Sequence, residues 1–254
     1  MRPTLSLIRR EFSAYFFSPI AYVAIALFLT VTAYLFCLTL LMLTERGPDG
    51  VSYSMELLVN NVPFWLVFMA IPPLLTMRLF AEERSTGTLE MLLTAPVRDW
   101  QVVFAKYVAC YIFYVLMWLP TLLYLPVLTD WKWWTLECGI DPWPIFTTYL
   151  GVACAGAMFL SIGMFVSSMV KSQMVAALIA LFISMLFVVV GIWRPDLDTS
   201  DLPYRILFYF TVPLHFERNF GRGLIDTRHL ILYGTVAFLG FFLTIRSLES
   251  RRWR

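Results

Sequence analysis

Charge is what this sequence has least of. Only 14% of its 254 residues are charged and 60% are hydrophobic, whereas a soluble domain carries about a quarter charged residues. That balance excludes an ordinary water-soluble domain and leaves an integral membrane protein. The net charge of +2 gives no basic surface of the kind a nucleic-acid partner requires. Histidine is almost absent, with His215 and His229 alone and fourteen residues apart. No His-Glu-x-x-His cluster exists, so intramembrane metalloprotease chemistry is excluded, and each histidine reads as an interfacial polar residue rather than a ligand. The four cysteines have no metal-ligand spacing, and Cys37, Cys110 and Cys154 lie in apolar runs as small hydrophobes. No G-x-x-x-x-G-K-[ST] loop occurs, so the chain cannot bind a nucleotide by that motif and carries no energy source of its own. The start, "MRPTLSLIRREFSAYFFSP", has no apolar core ending in a small-residue cleavage site, and no removable signal peptide is expected.

Long apolar runs are what the sequence has instead. A spanning helix needs about 20 predominantly apolar residues. Five runs reach that length, Pro19–Leu43, Val102–Leu128, Pro144–Val170, Met174–Trp193 and His229–Ile245, and Val62–Phe80 is a slightly shorter sixth. Away from their edges none holds Asp, Glu, Lys, Arg or His, where ion-coupled carriers place coupling charges at membrane depth. Six spans put both termini on one side. With that side inside, the inner segments hold 12 Lys and Arg against 7 outside, five of the seven in one long loop. The positive-inside rule therefore predicts cytoplasmic termini. No internal repeat divides the chain, so residues 1–254 are read as one all-α membrane domain.

Smaller signals fit this frame. Trp131, Trp133 and Trp134 mark the outer end of span 3 and Trp100 its inner end. Within residues 1–18, Leu5, Ile8, Phe12, Tyr15 and Phe16 recur at helical spacing opposite Arg2, Arg9 and Arg10. This predicts an amphipathic helix on the inner leaflet; a plain extension of span 1 is the alternative. Span 4 repeats small residues at four-residue spacing, Gly151/Ala155, Ala153/Ala157 and Gly163/Ser167, which allows close packing within the subunit or across a dimer. The few polar side chains of the spans, Thr76, Ser161, Ser167 and Ser184, favour apolar or amphipathic cargo; a narrow, closed pathway is the alternative.

One stretch breaks the apolar pattern. "MRLFAEERSTGTLEMLLTAPVRDWQ", residues 77 to 101, packs seven charges between spans 2 and 3. Pro72 and Pro73 remove two backbone donors just before it and predict a kink. The helix is expected to run on to Arg84 and to break at Ser85-Thr86-Gly87. A second short helix starts near Thr88, with Gly87 as a permissive cap and Glu90 reaching back toward it. Leu89, Leu92 and Leu93 form a two-turn apolar stripe, and Pro96 stops the helix. Two turns are too short to be stable alone in water. The stripe needs a docking partner, and Glu82, Glu83 and Glu90 disfavour an anionic membrane surface as that partner.

These residues carry a resemblance. "FAEERSTGTLEMLLTAPV" resembles the inner-loop motif of ABC-type permeases of the type 2 exporter family, E-x-x-x-G-T-L-E-x-L-L-x-x-P-V. The resemblance extends over the whole chain. The stretches "RREFSAYFFSPIAY" and "HFERNFGRGLIDTRHL" are most similar to the gliding-motility-associated branch. It implies that residues 85–97 form a cytoplasmic coupling helix seated on a separate ATPase subunit through Gly87, Thr88, Leu89, Glu90, Leu92, Leu93 and Pro96. Glu82, Glu83 and Arg84 would be the stem that relays movement to span 2. Nothing in this chain would be catalytic or bind metal, and ATP and magnesium would sit in the partner. A second permease copy or a related permease would complete the pathway in a bacterial inner membrane.

The outer loop, residues 195–228, contains an apolar run from Ile206 to Phe216 bracketed by Pro203 and Pro213. Half a span of that kind suits a re-entrant pair of half-helices against spans 5 and 6. The resemblance implies the same, an outer gate at Pro203, Phe210, Pro213, His215, Phe216 and Phe220; a plain interfacial loop is the alternative. Two other functions stay open. One is mechanical output to an extracytoplasmic accessory protein. The other is a lipid-modifying enzyme, for which Glu217, His215 and Asp226 are the candidate cluster.

Overall fold

A chain with no water around its apolar runs satisfies its backbone within each segment, which makes helix the stable form. The computed structural model describes residues 2–17, 19–46, 58–59, 61–87, 98–124, 142–192 and 209–252. Among these every regular element is helical. In order they are α1 (Arg2–Phe17), α2 (Pro19–Arg46), α3 (Val62–Thr76), α4 (Ala81–Ser85), α5 (Asp99–Trp118), α6 (Pro142–Met169), α7 (Gln173–Ile192), α8 (Val212–Arg218) and α9 (Thr227–Arg252). Three-residue-per-turn segments Leu119–Leu123 and Phe220–Arg222 follow α5 and α8. Pro120 falls in the first of these, where it cannot donate to a continuing α-helix.

Five of the described helices are long and apolar enough to cross a membrane: Ala21–Leu41, Asp99–Leu123, Pro142–Met169, Gln173–Val190 and Thr227–Ser250. The sixth run gives a regular helix of 15 residues, Val62–Thr76, about 22 Å at 1.5 Å per residue. The run was expected to stay helical through Phe80 to Arg84. Instead a turn at residues 77–80 separates α3 from α4. The reason is Ser167 of α6. Its hydroxyl accepts from the Phe80 N–H at 3.2 Å and the Ala81 N–H at 3.1 Å. It donates in turn to the Met77 carbonyl at 3.3 Å. These backbone groups would otherwise have bonded within the helix, so a side chain from a distant span replaces two rungs of the ladder.

The centre of the bundle is α6, which packs on α3, α5, α7 and α9. In its most apolar window 67% of residues are buried, against 22% for α7 and for α9. Its small residues do this work inside the subunit. A methyl group at Gly151 would lie 2.9 Å from the rings of Phe216 and Phe220. One at Gly156 would collide with the Tyr114 ring, and one at Gly163 with the Thr76 hydroxyl. Of the two readings of the small-residue repeat, packing within the subunit accounts for Gly151 and Gly163. Outward faces of α2, α7 and α9 show Val23, Leu27, Leu178, Phe182, Phe238 and Leu239, apolar side chains suited to lipid.

The amino-terminal helix is docked on protein as well as amphipathic. Tyr15 stacks on Phe113 of α5 with ring centroids 5.0 Å apart, and Phe16 meets the same ring edge-on at 5.9 Å. Leu5, at the far end, is exposed.

Candidate functional site

The stem predicted from the sequence is α4, and it is wired into three other helices. Glu83 reaches the Lys106 ammonium of α5 at 2.7 Å, and Glu11 of α1 reaches the same ammonium at 3.1 Å. Lys106 is 3% exposed and its ammonium also lies 5.5 Å above the Phe80 ring. Arg10 closes the cluster by donating to Glu11 at 2.8 Å. Burial would raise the Glu11 carboxyl, but Lys106 and Arg10 together hold it below the usual carboxylate range. On the other side of the stem the Arg84 guanidinium donates to the Met169 carbonyl at the end of α6. With the Ser167 clasp, the five residues of α4 are held by α1, α5 and α6 at once.

Lys106 and Glu11 were missed as site residues, although a signal existed. A lysine seven residues into an apolar helix must find a carboxylate or leave the membrane. Glu11 is the one acid in an otherwise basic amphipathic helix. Ser167 had no such signal, because Thr76, Ser161 and Ser184 look the same in sequence. Those three donate to carbonyls of their own helices, Pro72, Met158 and Ala180.

Gly87 ends the stem with φ of +74°, a left-handed conformation that a side chain would strain. The break expected at Ser85-Thr86-Gly87 is found there. Thr88, Leu89, Glu90, Leu92, Leu93 and Pro96 lie outside the described residues. Pro72 and Pro73 fall inside α3, both buried, and deprive the Phe68 and Met69 carbonyls of their i+4 donors.

At the other end of the bundle, α8 and the turn after it fold back onto the spans. Pro203 lies outside the described residues, Phe210 is exposed, and Pro213, His215, Phe216 and Phe220 are buried. The segment was expected against spans 5 and 6. It does touch them, through Phe210 on Phe187 and His215 on Tyr233. It also wedges between spans 2 and 4: Phe216 meets Trp65 edge-on at 5.2 Å. Thr147 donates to the Phe220 carbonyl at 2.6 Å, joined by Thr148 at 3.3 Å. The two histidines, read as separate interfacial residues, stack with centroids 3.7 Å apart. Burial, and then the neighbouring His229 ring, push His215 down from the usual imidazole range to about 3.

That geometry leaves little for lipid-modifying catalysis. Both ring nitrogens of His215 are engaged, Nδ1 with the Tyr233 hydroxyl at 2.8 Å and Nε2 with the Tyr209 carbonyl at 3.0 Å. Asp226 sits 3.9 Å from His229, not His215. The described residues form a packed helical bundle with the stem α4 anchored to its neighbours.

No curated protein matches the chain. Residues 13–216, well over half of the sequence, match the family described as "ABC-2 family transporter protein". Together with five apolar helices of spanning length, this shows that the chain belongs to the ABC-2 transporter family and is a multi-pass membrane permease component of an ABC transporter.

Proposed function

We propose that this permease is one of two membrane subunits of an ATP-driven exporter, powered by a separate ATPase that docks on residues 85–97. Permeases of the family work with an ABC ATPase subunit, and this chain has no phosphate-binding loop of the Walker type. Counting α3 as a sixth span, with α4 continuing it past the membrane surface, puts both termini in the cytoplasm of a bacterial cell, as the 12 to 7 bias in basic residues favours. Closure of the ATPases on ATP would push the Leu89, Leu92 and Leu93 stripe, and α4 would pass that movement upward. The kink at Pro72 and Pro73 would then tilt span 2 toward the outer wedge at Phe216 and Phe220. Apolar or amphipathic cargo suits the aliphatic and aromatic spans.

The observation that carries this reading is the anchoring of α4. A five-residue helix held by Ser167, Lys106 and the Met169 carbonyl cannot shift without moving α1, α5 and α6. A loose loop would have no such attachments. Replacing Leu92 and Leu93 together by Asp tests it. Each buried leucine contributes about 1.5–3 kcal/mol before ordering costs, so the variant should lose its ATPase on purification while remaining folded and inserted. An ATPase still bound, with transport intact, would contradict the docking.

A further inference from the structure

Between α1, the start of α2 and the end of α3 lies a cleft of about 410 Å³, within the range of about 300–1,000 Å³ typical of small-molecule sites. Its inner walls are apolar: Tyr15, Ala21, Ala24, Leu75 and Phe113. Leu74 on its flank is 48% exposed, so the cleft communicates with the lipid-facing surface. Its charged lining falls into two groups. Lys106, Glu11 and Glu83 form one cluster, and Arg10, outside the lining, pairs with Glu11 and completes its charge balance. Arg78 and Glu82 also line the cleft and stand apart from that cluster. The Arg78 Nε is buried with no hydrogen-bond partner among the described residues. The described ion pairs include neither residue, and the two do not bridge each other. A buried guanidinium nitrogen without a partner is costly; a ligand with oxygen acceptors removes that cost.

We propose that this cleft is a site for one zwitterionic phospholipid, its phosphate on Arg78, its ammonium on Glu82 and the head of its chains along Leu74 and Ala24. The depth is right. Arg78 stands two residues beyond the end of an apolar helix, where arginine side chains reach headgroups. The charge is right as well, because one free cation and one free anion match a headgroup carrying both, and an anionic lipid would leave Glu82 facing a like charge. The guanidinium fork suits a phosphodiester. The site depends on the chain lying in a bilayer but not on ATPase docking or on which side is cytoplasmic.

Native mass spectrometry of the full-length permease, released from nanodiscs of equimolar phosphatidylethanolamine and phosphatidylglycerol, tests the proposal. One phosphatidylethanolamine should be retained about tenfold over phosphatidylglycerol, the ratio expected from one charge-assisted contact. Arg78→Gln should lose the adduct about tenfold for both lipids. Glu82→Gln should erase the preference while keeping binding, and Ala24→Phe should fill the cleft and abolish the adduct without changing any charge. Equal retention of the two lipids by the unaltered protein, preference for phosphatidylglycerol, or an adduct insensitive to Ala24→Phe would each overturn it. All four proteins must run as monodisperse species, and Glu82→Gln and Ala24→Phe decide the matter if Arg78→Gln does not.

Discussion

At the scale of single residues, the permease concentrates its polar interactions where elements must hold a fixed angle. Lys106 is the clearest case. Its ammonium is almost fully buried between Glu11 and Glu83, and removing one partner of such a group leaves the others uncompensated at a cost of about 3–5 kcal/mol. Lys106→Met should therefore lower the unfolding midpoint of the purified permease strongly and weaken the hold of α1. Adding Glu11→Gln and Glu83→Gln to Lys106→Met should restore most of the loss, because no carboxylate is then left without its buried cation, and Arg10 is exposed enough to be solvated. Thermal scans of the single and triple variants check both statements. A triple variant no better than the single one would mean that packing of the lysine stem, not charge, dominates.

At the scale of elements, α8 packs into the bundle with its polar end resting on a neutral imidazole. His215 bonds Tyr233 and the Tyr209 carbonyl while lying against His229, and Asp226 stands beyond His229 at 3.9 Å. With His215 lowered to about 3 in the fold, the unfolded chain takes up its proton first, near the ordinary imidazole value of about 6.5. The stabilising effect is thus complete above that pH and is lost as pH falls toward 3, by up to about 1.4 kcal/mol per pH unit. The unfolding midpoint should drop between pH 7 and pH 5, and His215→Gln should remove one proton's share of that slope; an unchanged slope would place the titration elsewhere. How much of this could be read beforehand follows from range. The helix α1, the spans and the turn at Gly87 were legible because apolar periodicity, glycine and proline act locally. The break at residues 77–80 was not, because its cause is Ser167, 87 residues from Phe80. The histidine stack was hidden for the same reason, and so was the wedge of Phe216 against Trp65.

At the scale of the whole molecule, a central helix lined with small residues lets neighbouring spans approach closely, and the charged stem is pinned to that centre. Gly151 on α6 meets Phe216 and Phe220, and Gly163 meets Thr76 at the end of α3, so one helix touches both ends of the bundle. Composition was enough to read the membrane class, and the charged stretch between spans 2 and 3 is where we propose that a partner acts. Which distant side chains clasp the stem was not readable, since 3.6-residue periodicity reports a face and not its opposite number. The central claim is that residues 85–97 seat on an ATPase. It is tested most directly by a photo-crosslinking amino acid placed at Leu92 in membranes of intact cells, with Val23 on the exposed face of α2 as the control. Position 92 should give a covalent product with the combined mass of permease and ATPase subunit, and position 23 only lipid adducts. Lipid adducts alone from position 92, while the ATPase crosslinks at some other surface, would contradict it.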